Sequence, residues 1–131
     1  MTTVALIEYD QANDAVRAVY DDIRATRKTD FINNFWKALA NNPAQLARTW
    51  ESVKTVMAPG ALDPLTKELI YIAVSVANSC EYCTHSHTAA ARAKGMTAEQ
   101  HAELLAVIGM AFHTNGLVNA MQVEVDGVFK V

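Results

Sequence analysis

Apolar residues recur at intervals of three and four along most of this chain, the spacing of one face of an α-helix. Ala15, Val16, Val19, Tyr20 and Ile23 carry it between Asp10 or Gln11 and about Arg27. Asn33 opens a short segment with Phe35, Trp36 and Leu39. Asn42-Pro43 and Asp63-Pro64 each join a capping side chain to a proline at the first helical position, so helices are predicted to begin there. The first runs toward Met57 and stops at Pro59-Gly60; the second shows Leu65, Leu69, Ile72 and Val76. Asn78, with Glu81 three residues on, predicts a capping box and a further helix. That helix runs through Ala89, Ala90, Ala91 and Ala93 to Gly95, a left-handed stop. Thr97 and Gln100 repeat the capping box ahead of Leu104, Leu105 and Ile108. Strand-like stretches are confined to Val4–Ile7 and the C-terminal tail. Six to seven helices with short connections predict an all-α single domain over residues 1–131.

One stretch breaks the amphipathic pattern. Leu104 to Val123 is 20 residues without Asp, Glu, Lys or Arg. Its middle reads His113-Thr114-Asn115-Gly116, which is costly at a bilayer centre, so no membrane partner is expected. The stretch is expected to form two buried or interfacial helices joined at that point. Charged residues make up 19% of the chain, below the usual ~25%, which leaves apolar surface for a subunit interface. The formal net charge is −3, and the densest basic stretch, Arg24, Arg27 and Lys28, lies beside Asp21, Asp22 and Asp30. Nucleic acid is therefore not an expected partner. The start, MTTVALIEYD, lacks the basic n-region and long apolar h-region of a signal peptide, so the cytoplasm is expected.

Chemistry concentrates in NSCEYCTHSH, residues 78–87, which holds both cysteines and two of the four histidines. In a reducing compartment such a pair points to redox or metal chemistry before a structural bridge. On a helix, Cys80, Cys83 and His87 fall within roughly 60° of one another, whereas His85 points about 140° from Cys80, as a bystander would. A free thiol with pKa near 8.5 is only ~3% ionised at pH 7. A helix N-terminus and an imidazole can each raise the thiolate fraction, and a second cysteine can turn an oxidised first one into a recyclable disulfide. Covalent haem would need His directly after the second cysteine, where Thr84 stands. Zinc on Cys80, Cys83 and His87, with Glu68 or solvent as fourth ligand, and two inert packed cysteines remain alternatives.

Upstream, Glu68, Tyr71, Ser75 and Ser79 form a polar stripe on an otherwise apolar helix. Facing water, Glu68 is an ordinary solvated charge. Facing the cysteine helix, it is a partly buried carboxylate with a raised pKa, suited to accept a thiol proton. His101 and His113 read as surface or interface residues, and Trp36 and Trp50 as core or interface.

The spacing from Glu68 to Cys80, Cys83 and His87, in KELIYIAVSVANSCEYCTHSHTAAARAKGMT, resembles the alkylhydroperoxidase AhpD-like family within the carboxymuconolactone decarboxylase superfamily. ANNPAQLARTWESVKTVM and HTNGLVNAMQVEVDGVF extend the likeness to about residues 14–129. The resemblance implies an all-α AhpD-like fold and a thiol-dependent peroxidase that needs no cofactor. It implies that Cys83 attacks a hydroperoxide substrate, Cys80 resolves it, and Glu68 and His87 move the protons. A dithiol reductant, such as a lipoyl- or thioredoxin-like protein, is the implied partner, and a homohexamer, with a trimer as alternative, the implied assembly. Keeping both cysteines argues against the muconolactone decarboxylases of the superfamily, which lack them. The likeness departs at Tyr82, where the best-known peroxidases of the family carry a histidine. A phenol with pKa near 10 does not shuttle protons near pH 7, so a shortened relay is expected.

Overall fold

The computed structural model describes residues 1–130. Six α-helices follow one another: α1 (Asp14–Arg27), α2 (Asn34–Leu39), α3 (Pro43–Met57), α4 (Pro64–Ala77), α5 (Glu81–Ala93) and α6 (Ala98–Met121). Single 3₁₀ turns lie at Tyr9–Gln11 and Gly127–Phe129, and no strand occurs among the described residues. The strand-like stretch at Val4–Ile7 is therefore not a strand. It is tied down singly instead: Ile7 N–H donates to the Lys37 carbonyl at 3.1 Å, and the Tyr20 hydroxyl donates to the Ile7 carbonyl at 2.8 Å.

The chain divides into two compact units, Met1–Ala58 and Pro59–Val131. In the first, α1, α2 and α3 close over a core of Val16, Tyr20, Ile23, Ile32, Trp36, Leu46 and Trp50. Trp36 and Trp50 meet edge to face at 5.5 Å, so both tryptophans are core residues. Burial, and then the charge of Glu8, pushes the Tyr20 phenol up to about 12. Asn13 and Asn42 cap α1 and α3 by accepting from Val16 N–H and Gln45 N–H.

In the second unit α4 packs along α5, and the start of α6 closes against α4. Asp63 caps α4 with Pro64 at its first position, and Thr97 and Gln100 form the capping box of α6, both as the sequence predicts. The apolar core is small: Ile72, Ala91 and Met96 are buried, with Leu65, Leu69, Val76, Leu104 and Ile108 half-covered around them.

The first helix begins at Asp14, capped by Asn13, and not at Asp10 or Gln11, which lie in the separate 3₁₀ turn. Two further elements differ from expectation. The first is α6, one unbroken helix of 24 residues where two were expected. Thr114 satisfies its own hydroxyl inside the helix, donating back to the Met110 carbonyl at 3.1 Å, and no proline interrupts the backbone ladder. Gly116 costs a helix only about 1 kcal/mol relative to alanine, too little to break so long a run. The second is the start of α5, which Cys80 caps in place of Asn78. Asn78 closes α4, and Ser79 follows in the left-handed region at φ 55°. Cys80 N–H then donates to the Ser75 carbonyl at 2.9 Å, and Ser79 N–H to Val76 at 3.1 Å. This is a Schellman closure with serine where glycine is usual.

Candidate functional site

The α4–α5 corner fixes Cys80 from both sides. Its backbone ends α4, and its sulfur begins α5 by accepting the Cys83 N–H at 3.3 Å. Cys80 and Cys83 form a disulfide, with their Cα atoms 5.3 Å apart. A sulfur at this position takes one of the free N–H groups of the first turn and lies at the positive end of the helix dipole. When the bond is reduced, both effects favour a thiolate at Cys80.

His87 lies one helical turn beyond Cys83, and its Nδ1 is 2.7 Å from Oε2 of Glu68. The second carboxylate oxygen is also occupied, because Lys94 Nζ donates to Oε1 at 2.7 Å. Tyr71, one turn along α4 from Glu68, stacks on the imidazole with ring centroids 3.6 Å apart. Glu68 itself is 4% exposed, so these contacts take the place of water around its charge. Burial pushes its carboxyl up. The hydrogen bonds from His87 and Lys94, with the Lys94 charge, outweigh that and hold it below the usual carboxylate range.

This corrects the expectation of a raised Glu68 pKa: Glu68 faces α5, but the hydrogen-bond donors there, His87 and Lys94, reverse the effect of burial. An ionised Glu68 is acceptor-only, so the hydrogen on this contact belongs to His87 Nδ1, and Nε2 is the nitrogen able to take up a proton. Glu68 acts on the imidazole, which in turn can act on a thiol.

Four sequence-derived residues thus come together as two linked pairs, Cys80–Cys83 and Glu68–His87, on the facing helices α4 and α5. The other stripe residues behave differently. Ser75 is buried and donates its hydroxyl to the Tyr71 carbonyl at 2.6 Å, while Ser79 is exposed. His85 lies nearer Cys80 than helical spacing suggests. It lines, with Val76, Ser79, Cys80, Glu81 and Thr84, an open depression of about 310 Å³. The angular argument fails because Cys80 is a cap with extended backbone and does not follow the 100° step of the helix. Lys94 and Tyr71 were not singled out as site residues. Lys94 lies seven residues after His87, two turns on the same face of α5, which was the available signal. Among the described residues, no three His, Cys, Asp or Glu side chains converge as a metal site.

The sequence model described as the carboxymuconolactone decarboxylase family matches residues 44–124, more than half of the chain. The chain belongs to this family. It is similar to the crystal structure of an alkylhydroperoxidase AhpD core from Rhodospirillum rubrum ATCC 11170, at 62% identity and a TM-score of 0.92. That match covers 100% of this chain and 98% of the other. It is 39% identical to uncharacterized protein 4 in the cox locus of Paracoccus denitrificans, over 56% of this chain and 71% of that protein. It is also 33% identical to alkyl hydroperoxide reductase AhpD of Solibacter usitatus (strain Ellin6076), over 71% of this chain but only 51% of that protein. The AhpD-like fold expected from the Glu68, Cys80, Cys83 and His87 spacing is the fold observed.

Proposed function

We propose that this family member is a thiol-dependent peroxidase, an alkylhydroperoxidase-like oxidoreductase working through Cys80 and Cys83. The reading is carried by one observation: the Cys80–Cys83 pair opens the same helix whose His87 is anchored on a buried, ionised Glu68. The likeness to the Rhodospirillum AhpD core supports it.

In the proposed cycle the Cys83 thiolate attacks the outer oxygen of a hydroperoxide. The O–O bond breaks, Cys83 becomes a sulfenic acid, and the alkoxide leaves as alcohol after taking a proton. The Cys80 thiolate then attacks the Cys83 sulfur, and the disulfide forms as water departs. A dithiol donor, lipoyl- or thioredoxin-like, reduces the disulfide and is itself oxidised. Cys80 lines the open depression, which suits it to meet that donor. His87, through Nε2, takes the proton of a thiol and returns it to the leaving oxygen, with Glu68 holding Nδ1. Cys83 has this base one turn away, and that favours it as the attacking sulfur over Cys80 despite the cap at Cys80.

We place the protein in the cytoplasm as one domain over residues 1–131 that assembles as a homohexamer, with a trimer as the alternative. Past Ile108 every described residue of α6 is exposed, including Met110, Phe112, Leu117, Val118 and Met121. By length and composition α6 could also cross a membrane. The polar run His113-Thr114-Asn115 at its middle favours a protein surface instead.

The direct test is consumption of an alkyl hydroperoxide with a dithiol donor, in wild type and in Cys83→Ser. A loss of at least a hundredfold in the variant is expected. Equal rates would remove the mechanism, and reduction of a model disulfide without peroxide consumption would leave only dithiol–disulfide exchange.

A further inference from the structure

We infer that Lys94 is a positioning residue for proton transfer: by holding Oε1 of Glu68 it turns Oε2 toward His87 Nδ1 and leaves Nε2 as the nitrogen that exchanges a proton. This rests on the peroxidase reading for its purpose, while its geometry stands apart from any substrate. The two contacts on the carboxylate are equal at 2.7 Å, one to each oxygen, so the group is gripped at both ends and cannot rotate without losing one. Its side chain is 5% exposed, against 38% for Lys94, so the lysine brings a partly solvated charge to a carboxylate almost removed from water. A buried carboxylate with a single neutral partner would tend to hold a proton and lose its pull on Nδ1.

The backbone fixes where Lys94 stands. It closes α5, and Gly95 follows at φ +95°. Met96 N–H then donates to the Ala91 carbonyl at 3.0 Å and Gly95 N–H to Arg92 at 3.0 Å. Met96 packs on Ala91 in the core, completing a Schellman closure with its apolar contact. The stop signal thus sets the lysine at the right height beside α4. Among the described residues, the titratable groups on the carboxylate are His87 of α5 and Lys94, the residue that caps its end. From α4, Tyr71 covers the imidazole, and α6 reaches the adjoining core through Leu104 and Ile108, which carry no charge.

The test needs no peroxide. Reduced wild type, Lys94→Met and Lys94→Arg are alkylated with iodoacetamide from pH 5 to 10, with circular dichroism to check folding. Lys94→Met is expected to move the midpoint of thiol reactivity up by about one unit, slowing alkylation at pH 7 roughly tenfold, and Lys94→Arg to restore it to within about threefold. A Lys94→Met profile that superimposes on wild type, or Lys94→Arg as impaired as Lys94→Met, overturns the inference. Should Lys94→Met not fold, the ¹⁵N spectrum of wild-type His87 decides. In the neutral imidazole the hydrogen is expected on Nδ1, and the opposite tautomer overturns the inference. Because the readout is thiol reactivity, inactivity toward peroxides would sink the proposed function without touching this result.

Discussion

Glu68 illustrates how one residue's environment decides its role. A carboxylate removed from water ordinarily takes a proton, yet here Lys94 and His87 each donate to one of its oxygens and keep it charged. The charge is therefore linked to folding. Its folded-state pKa lies below the unfolded value, so its contribution to stability is present above about pH 4.3 and is lost as pH falls through the folded value. Asp22, held down by Lys54 and by the Trp50 ring N–H, and Asp63, held down by the Thr66 backbone and hydroxyl, act in the same direction. Urea midpoints are expected to stay level from pH 7 to about 5 and to fall below about pH 4. Glu68→Gln is expected to be less stable at pH 7 and to show a shallower acid limb. An unchanged limb in the variant would mean that Glu68 titrates as it does in the unfolded chain. The same variant should slow thiol alkylation at pH 7 by about tenfold, since His87 loses the partner that fixes its tautomer.

At the scale of elements, the two ends of α5 do the positioning. The front end is reached by a corner in which Ser79 adopts φ 55°, a conformation that costs a side chain about 1 kcal/mol and that glycine takes freely. Ser79→Gly is accordingly expected to raise unfolding stability by about 0.5–1 kcal/mol, measured by urea denaturation, with the Cys80–Cys83 pair still able to form its disulfide. A loss of stability would show that the Ser79 side chain supports the corner. In α6 the Thr97 capping box satisfies two N-terminal groups, the Gln100 and Thr97 N–H. Thr97→Ala is expected to cost about 1 kcal/mol, measured in the same way. These elements were largely legible beforehand. The proline-led starts of α3 and α4, the glycine stop of α5 and the box of α6 all depend on local backbone chemistry that a few adjacent residues determine. The Asn78 box was misread because Asn78 and Glu81 fit the pattern equally well. The choice of Cys80 depends on where α4 stops.

For the whole molecule, the imbalance between the two units is the informative feature. Met1–Ala58 buries two tryptophans, a tyrosine and several aliphatic side chains in its own core. Among its described residues Pro59–Val131 buries only Ile72, Ala91 and Met96 of its apolar side chains, yet it carries α6, a helix long and apolar enough to span a membrane and exposed past Ile108. An exposed apolar surface of that extent needs a cover. Light scattering is expected to give a mass near six times the 14.3 kDa of one chain, or three times for a trimer. Phe112→Asp is expected to lower it toward a single chain. Monomeric wild-type protein, or wild type that partitions into lipid vesicles, would rule out this assembly.

Sequence alone determined the helical class and most helix boundaries, and it picked out Glu68, Cys80, Cys83 and His87 as candidates, because periodicity, caps and motif spacing are properties of neighbouring residues; which way Glu68 faces it left open. It also carried the AhpD-like resemblance. Tertiary structure decided what no local pattern encodes. It set which way the Glu68 pKa moves, that Lys94 and Tyr71 complete the site, that His85 shares a depression with Cys80, and that α6 runs unbroken. Each of these depends on what a side chain meets across α4 and α5, or on backbone satisfied over many residues, and neither is written in a short stretch of chain.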